Sequence, residues 1–145
     1  IRDSLYIMEI ELNLLNEGSH FEAKNESGNT VNIDGSPAVG GLGLGARPME
    51  LLIMGLGGCS GIDVLSILRK QKIEPKGFRI KLSAEREKDA VPSLFTEIHV
   101  MFIFKGPIDE AKAQRAVNLS MEKYCSVSKT LEKTAKITHE ISIEE

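Results

Sequence analysis

The sequence predicts an α+β fold in which a largely antiparallel sheet packs against one long central helix. Two observations support this prediction: apolar and polar residues alternate with a period of two near both ends of the chain, and a long apolar segment with helical spacing lies between them. The predicted order is strands, helix, strands, helices and a last strand, which is an α+β arrangement. No repeat or inter-domain linker interrupts it, so residues 1–145 are expected to form one domain.

The first third of the chain has the pattern of β-strands. Turn-forming residues at 26–29 separate an alternating segment from Val31 and Ile33. The Gly- and Pro-rich stretch 35–48 follows and is expected to be a loop, because glycine at this density costs a regular element too much entropy. Its segment GLGLG, residues 41–45, is expected to be a hinge or dimer-crossing loop. The apolar residues of the alternation are Tyr6, Met8, Ile10, Leu12, Leu14, Phe21 and Ala23.

The central helix is predicted to run from Pro48 to about Leu68. Proline suits a first helical turn, and apolar residues occupy nearly every face of the segment. Its four glycines oppose helix formation by about 1 kcal/mol each, so close approach of another backbone is expected to compensate. The uncharged stretch Leu51–Ile62 is too short and too glycine-rich to be expected to span a bilayer.

A helix that is apolar on every face must have every face buried against other parts of the protein, and one small sheet can bury only one of its faces. The pattern therefore favours a homodimer in which the central helices of two chains pack together. The alternative is that later helices cover the central helix within one chain.

Two strands, two helices and a last strand are expected after the central helix. The first helix begins near Asp109, after Gly106-Pro107, and a shorter helical segment ends near Leu131. The alternating residues that predict the three strands are Phe78, Ile80, Leu82 and Ala84, then Ile98, Val100, Phe102 and Phe104, and finally Ile137, His139, Ile141 and Ile143.

Composition and charge exclude several classes of partner. The net charge is −3 and there is no basic block, which argues against nucleic acid and anionic membranes as partners. The opening Ile1-Arg2-Asp3 lacks the profile of a signal peptide, so a cytoplasmic location is expected. His20, His99 and His139 have no ligand spacing, so neither a metal nor another cofactor is predicted.

The two cysteines are the residues most able to carry chemistry. Two distant cysteines are too few for a secreted disulfide framework, and in a reducing compartment such a pair is more often reactive than structural. Cys59 lies among four glycines that leave room for a small reagent, and Cys125 closes a later helical stretch. The simpler interpretation is that both are small buried packing residues, and only their proximity in space would favour a redox pair.

Two motifs resemble those of the OsmC-like superfamily of osmotically induced proteins and organic hydroperoxide reductases. They are RPMELLIMGLGGCSGIDVLSIL, which contains the first cysteine, and AVNLSMEKYCSVSKTLEKTA, which contains the second. The resemblance extends over nearly the whole chain. The branch with the same P-M-E, G-G-C-S and E-K-Y-C-S-V signature is the most similar in pattern.

The resemblance implies an intertwined homodimer with its sites at the subunit interface. It also implies that Cys59 attacks a small organic hydroperoxide and becomes a sulfenic acid, and that Cys125 then resolves it as a disulfide. A dithiol reductant, which is a lipoyl protein in some members, would restore both thiols. No cofactor is implied.

The residues around the two cysteines match the peroxidases less well. Characterised hydroperoxide reductases place a glutamate directly after the helix-opening proline, where it pairs with a catalytic arginine, whereas here Met49 follows Pro48 and the acid is Glu50. No arginine occurs from residue 3 to 46, and Arg47 is the nearest candidate. Asp63, one turn after Cys59, is expected to orient a partner side chain or to cap part of the interface.

Three functions are therefore compatible with the sequence. The first is a peroxidase that acts on organic hydroperoxides. The second is a non-catalytic dimer that binds a small apolar or sulfur-containing ligand, and the third is thiol–disulfide exchange without peroxide. The retained cysteine pair favours the first and third, and the missing arginine favours the second and third.

Overall fold

A computed structural model of the protein describes residues 7–145 and confirms the α+β class. These residues form two three-stranded sheets and three α-helices, rather than the single sheet that the sequence suggests. The chain divides into two compact units, one that ends at Leu52 and one that runs from Ile53 to Glu145. The single domain over 1–145 stays a prediction.

The first unit contains an antiparallel sheet in the order β1-β2-β3. Its strands are β1 (Glu11–Leu14), β2 (Phe21–Lys24) and β3 (Thr30–Ile33). The first strand is shorter than predicted, because its pairing ends where Glu11 meets Lys24, the last residue of β2, and the chain turns at residues 25–29. Met8 and Ile10 precede the strand, and Tyr6 lies outside the described residues.

The predicted alternation gives this sheet one apolar face. The register aligns Leu12 with Ala23 and Val31 in one row, and Leu14 with Phe21 and Ile33 in the next. The face stays open in the single chain: Leu14 is 54% exposed and Val31 is 46% exposed. The first sheet therefore presents an apolar face to solvent in the single chain.

A buried carboxylate holds the glycine-rich loop in a defined shape. Asp34 is 1% exposed and accepts hydrogen bonds from the Ser19 hydroxyl at 2.7 Å and from the backbone N–H groups of Gly35, Leu42 and Leu44. These donors hold the pKa of Asp34 far below its usual range, with the Ser19 hydroxyl the largest cause. The Asp34 carboxylate thus holds the backbone in place at both ends of the segment 34–44.

Helix α1 (Pro48–Lys70) begins where the sequence predicts but is not buried on every face of the single chain. Leu56, Val64 and Leu68 are fully buried, whereas Met54 is 56% exposed and Ile62 is 70% exposed. Within one chain, therefore, the later helices do not cover every face of α1, and burial of the remaining face in a dimer stays a prediction. The residues of the exposed face are the ones that a second chain would have to cover.

The glycines of α1 also divide between two faces. A Cβ atom on Gly57 would lie 3.0 Å from a Leu82 methyl, and one on Gly61 would lie 2.7 Å from an Ile80 methyl. These two glycines let the helix approach the side chains of a sheet, not a backbone as predicted. Gly55 and Gly58 have nothing within 4 Å of an added Cβ.

By length and composition alone, α1 could cross a membrane. It has 23 residues, and its most apolar window has a mean hydropathy of 1.9. The earlier expectation concerned only the shorter uncharged stretch Leu51–Ile62, and it stays a prediction. Core helices of soluble proteins have the same length and composition, so this finding by itself carries no membrane assignment.

The second unit packs helices on a mixed sheet. Strand β4 (Gly77–Arg86) pairs antiparallel with β5 (Phe95–Lys105), and β5 pairs parallel with β6 (Lys136–Glu144). The alternation predicts strands but not their direction; the parallel pair arises because the helical segment between β5 and β6 crosses over the sheet. The core contains Val100, Phe102 and Phe104, all fully buried.

The crossover between β5 and β6 has three helical parts. Helix α2 (Glu110–Leu119) is capped by Asp109, whose side chain accepts a hydrogen bond from the Lys112 backbone N–H at 2.9 Å. A π-helical turn, Ser120–Tyr124, follows, and then the short helix α3 (Ser126–Leu131).

We expect Gly61→Val to lower the free energy of unfolding by about 1–3 kcal/mol, because its branched side chain overlaps Ile80 where α1 contacts β4. Urea denaturation measures this change. Ala111→Val places the same side chain on an exposed turn of α2 and should change stability by no more than about 0.5 kcal/mol. Equal effects of the two substitutions would contradict a close contact at Gly61.

Candidate redox site

Cys59 lies in the middle of α1 on a partly exposed face. Asp63 follows four residues later, so the two side chains lie on the same face of the helix, one turn apart. Both side chains are partly buried. The site is therefore within reach of a small reagent while part of it is shielded from water.

The π-helical turn places Cys125 at the start of α3. The Cys125 backbone N–H donates to the Ser120 carbonyl at 2.8 Å, which closes the turn, and the residue then takes an extended conformation. Its sulfur accepts a hydrogen bond from the Ser128 backbone N–H at 3.4 Å and so caps α3. Cys125 is fully buried.

The structure brings the two cysteines together, although they lie 66 positions apart in sequence. The sulfur of Cys59, the sulfur of Cys125 and a carboxylate oxygen of Asp63 all lie within 4.8 Å of one another. Neither cysteine forms a disulfide. A disulfide needs a sulfur–sulfur distance of about 2.05 Å, so the two side chains have to approach by a rotamer change or a small backbone shift to form one.

Burial keeps Cys125 protonated. The pKa of the Cys125 thiol is raised from 9.0 to about 11, mainly because burial removes its hydration; the Ser128 N–H opposes this shift and the neighbouring Cys59 sulfur adds to it. At neutral pH Cys125 is therefore a thiol and not a thiolate. Since the thiolate is the nucleophile, Cys125 is poorly suited to make a first attack.

Ser120 is a site residue that sequence reasoning missed. Its hydroxyl lies 3.2 Å from Oδ2 of Asp63 and 3.2 Å from the Ser60 carbonyl oxygen, and it is the donor to both. It therefore connects the end of α2 to α1 beside both cysteines. The helical spacing of the sequence indicates only that Ser120 faces the core, and a buried serine there is the signal that a polar partner lies opposite.

Glu50 and Arg47 form a helix cap. Glu50 Oε1 accepts a hydrogen bond from the Arg47 backbone N–H at 2.9 Å, as a residue in the third position of a helix does in a capping box. The Arg47 side chain is exposed and forms no ion pair with Glu50 among the described residues. Their supporting role in catalysis stays a prediction.

Three other arginines have partners away from the cysteines. Arg69 pairs with Glu74, Arg79 pairs with Glu144, and the Arg86 guanidinium donates to the Ser93 carbonyl. None of these contacts involves either cysteine. The structure therefore does not assign these three guanidinium groups to the site.

Comparisons with known proteins agree with the architecture. The family described as OsmC-like protein matches residues 41–140. Protein YhfA of Escherichia coli K12 is 41% identical over 128 residues, which are 88% of this chain and 92% of YhfA. A hypothetical protein from Aquifex aeolicus VF5 is 34% identical with a TM-score of 0.79, covering 97% of this chain and 100% of that one.

A more distant likeness involves the organic hydroperoxide resistance protein OhrB of Bacillus subtilis. It has a TM-score of 0.63 at 22% identity, and the match covers 96% of this chain and 100% of OhrB. At this identity the likeness is one of fold alone. Together these comparisons confirm the OsmC-like fold and the resemblance found in the sequence.

We expect Cys125 to lose its proton only near pH 11 in the native protein, because burial opposes the thiolate. Carbon-13 NMR of cysteine labelled at Cβ measures this titration. In Cys59→Ser, the Cys125 pKa should fall but stay above 9.0, since burial is the larger cause and the neighbouring sulfur the smaller. A native titration at or below 9.0 would show that the Cys125 sulfur is hydrated.

Proposed function

The chain belongs to the OsmC-like family, and on that premise we propose that it is a thiol-dependent peroxidase that reduces small organic hydroperoxides in oxidative stress defence. The observation that carries the proposal is the proximity of Cys59 and Cys125, whose sulfurs lie within 4.8 Å of each other. The Bacillus subtilis protein of similar fold is an organic hydroperoxide resistance protein, which agrees with this choice of substrate. The sequence similarity to YhfA supports membership of the family and does not bear on the activity.

Cys59 is the attacking residue in this proposal. It is partly exposed, whereas Cys125 is buried and protonated at neutral pH. The Cys59 thiolate attacks one oxygen of the hydroperoxide, a sulfur–oxygen bond forms, and the oxygen–oxygen bond breaks. The alkoxide that leaves takes up a proton and departs as an alcohol, and Cys59 becomes a sulfenic acid.

Cys125 is the resolving residue. Its sulfur attacks the Cys59 sulfenic sulfur, the disulfide forms, and the sulfenic hydroxyl leaves. The proton that Cys125 holds at neutral pH goes to that hydroxyl, which departs as water. The raised pKa of Cys125 lowers its thiolate fraction and so slows this attack, but the proton that Cys125 releases is the one that the leaving hydroxyl takes up.

A dithiol reductant completes the cycle by thiol–disulfide exchange, in which its two thiols are oxidised and Cys59 and Cys125 are reduced. A lipoyl protein is the partner that the family suggests. We place this cycle in the cytoplasm, where thiols are kept reduced. We expect it to run more slowly than in family members that carry the arginine, since no arginine occurs between residues 3 and 46.

The working form in this proposal is a homodimer. Two apolar surfaces of the chain are open: the sheet face that contains Leu12, Leu14 and Val31, and the α1 face that contains Met54 and Ile62. Gly55 and Gly58 lie on that same helix face with free space around them, which lets a second helix approach closely. A second copy that covers both surfaces would bury well over about 1,200 Å², the size of a stable interface.

We expect Ile62→Glu to shift the protein from dimer to monomer at micromolar concentration, because a carboxylate would be buried without a partner at the interface. Light scattering measures the mass. Val91→Glu makes the same change at a fully exposed position and should leave the dimer intact. A monomer in the unmodified protein would disprove the dimer.

We expect equimolar cumene hydroperoxide to produce a Cys59–Cys125 disulfide, measured by intact mass and peptide mapping. Cys125→Ser should instead accumulate a Cys59 sulfenic acid that a dimedone-type probe traps, and Cys59→Ser should give neither product. The rate should rise with pH, because the thiolate is the nucleophile. If Cys59 stays reduced under excess hydroperoxide at pH 8 while the denatured protein reacts, the site is inert and the ligand-binding alternative takes precedence.

Thiol–disulfide exchange without peroxide is the second candidate function. The observation that favours it is the helix-capping role of Glu50, which leaves the site without the glutamate–arginine pair of the characterised peroxidases. The same cysteine pair would then be oxidised by a disulfide substrate. Oxidation by a small disulfide, with no reaction towards hydroperoxide, distinguishes this function from the first.

A further inference from the structure

The three atoms that meet at the site form a possible set of metal ligands. Two cysteine sulfurs and one carboxylate oxygen lie within 4.8 Å of one another. The geometry points to a binding site for one Zn²⁺ ion in the reduced protein, held by Cys59, Cys125 and Asp63. The histidine spacing of the sequence gives no sign of this site, because none of its ligands is a histidine.

The distances suit a tetrahedral ion after a small contraction. Zinc–sulfur bonds of about 2.3 Å and zinc–oxygen bonds of about 2.1 Å place neighbouring ligand atoms roughly 3.6–3.8 Å apart. The three atoms here need to move inward by about 1 Å or less to reach that arrangement. Side-chain rotation on a helix face provides such a movement.

The ligand types select the metal. Zinc binding displaces the thiol protons into solvent, that of Cys125 included, because a thiol that coordinates the ion is deprotonated. Two thiolates and one carboxylate then carry three negative charges against the two positive charges of the ion, and sulfur ligands favour zinc over magnesium or calcium. Three protein ligands leave a fourth position, which a water molecule takes in open zinc sites. The partial exposure of Cys59 and Asp63 gives the ion a route from solvent.

Ser120 holds the carboxylate ligand in place. Its hydroxyl donates towards Oδ2 of Asp63 at 3.2 Å from the end of the neighbouring helix. Hydrogen-bond donors of this kind orient metal ligands from the outer shell, and their loss costs roughly 10–100-fold in affinity. The Ser128 N–H plays the corresponding part at the Cys125 sulfur.

This inference rests on the proposed function for its consequence, because zinc and the disulfide compete for the same two sulfurs. When hydroperoxide oxidises the pair, two electrons pass from the sulfurs to the oxygen–oxygen bond, and two protons are taken up to give alcohol and water. The sulfurs are then joined to each other, and Zn²⁺ leaves without a change in oxidation state. Bound zinc thus inhibits the reduced site, and oxidation releases it.

Zinc binding is measured without peroxide. Calorimetry and native mass spectrometry of the reduced protein should show one Zn²⁺ per chain, and Co²⁺ should give the thiolate charge-transfer absorption of a tetrahedral site. The disulfide form, made with diamide, should lose this binding. Cys59→Ser and Cys125→Ser should abolish it, Asp63→Asn should weaken it by more than about 10-fold, and Ser120→Ala by about 10-fold.

The matched control is Asp89→Asn, which removes an exposed carboxylate in the loop between β4 and β5 and should leave zinc affinity unchanged. Zinc binding that survives in both cysteine variants, or that is equal in Asp63→Asn and the unmodified protein, overturns the site. Because Asp63→Asn keeps both cysteines, it tests the site even if a cysteine variant fails to fold. Zinc binding with no reaction towards hydroperoxide would instead support the metal site and contradict the proposed peroxidase activity.

Discussion

The contact between α1 and the β4–β5–β6 sheet is the constraint on which the site depends. Gly57 and Gly61 let α1 lie close to Leu82 and Ile80, and this contact sets the depth at which Cys59 is held. Each glycine opposes the helix by about 1 kcal/mol, so the apolar contacts that replace its side chain must offset that cost. A bulkier residue at either position would lift the helix and separate Cys59 from Cys125.

A second contact places the other cysteine against the same helix. The Ser120 hydroxyl reaches the Ser60 carbonyl and Asp63 on α1, and the turn that starts at Ser120 ends at Cys125. In a regular α-helix each residue is rotated by about 100° about the helix axis relative to the one before it. The wider π-helical turn changes this rotation, so the Cys125 side chain points in a different direction than it would at the end of a regular α-helix. The sulfur–sulfur proximity is thus a product of one irregular turn.

The two cysteines differ in environment more than in sequence. Cys59 follows Gly58 and Cys125 follows Tyr124, and neither neighbour indicates how deeply the sulfur is buried. Burial makes the difference: Cys125 is fully enclosed and holds its proton, while Cys59 is partly exposed. The order of attack in the proposed reaction follows from that asymmetry, as does the depth at which a metal ion would be held.

Whether the sequence predicts a feature depends on whether the interactions that form it join neighbouring residues or distant segments of the chain. The start of α1 at Pro48 and the strands around Phe102 and Ile141 depend on local periodicity, which a sequence displays directly. The cysteine pair was inferred from a family motif. Ser120, the π-helical turn and the parallel pairing of β5 with β6 depend on contacts between distant segments, so no local pattern predicts them. The exposed faces of α1 and of the first sheet have a related explanation: the periodicity shows that these faces are apolar, but it does not show whether the same chain buries them, and the single chain leaves them exposed.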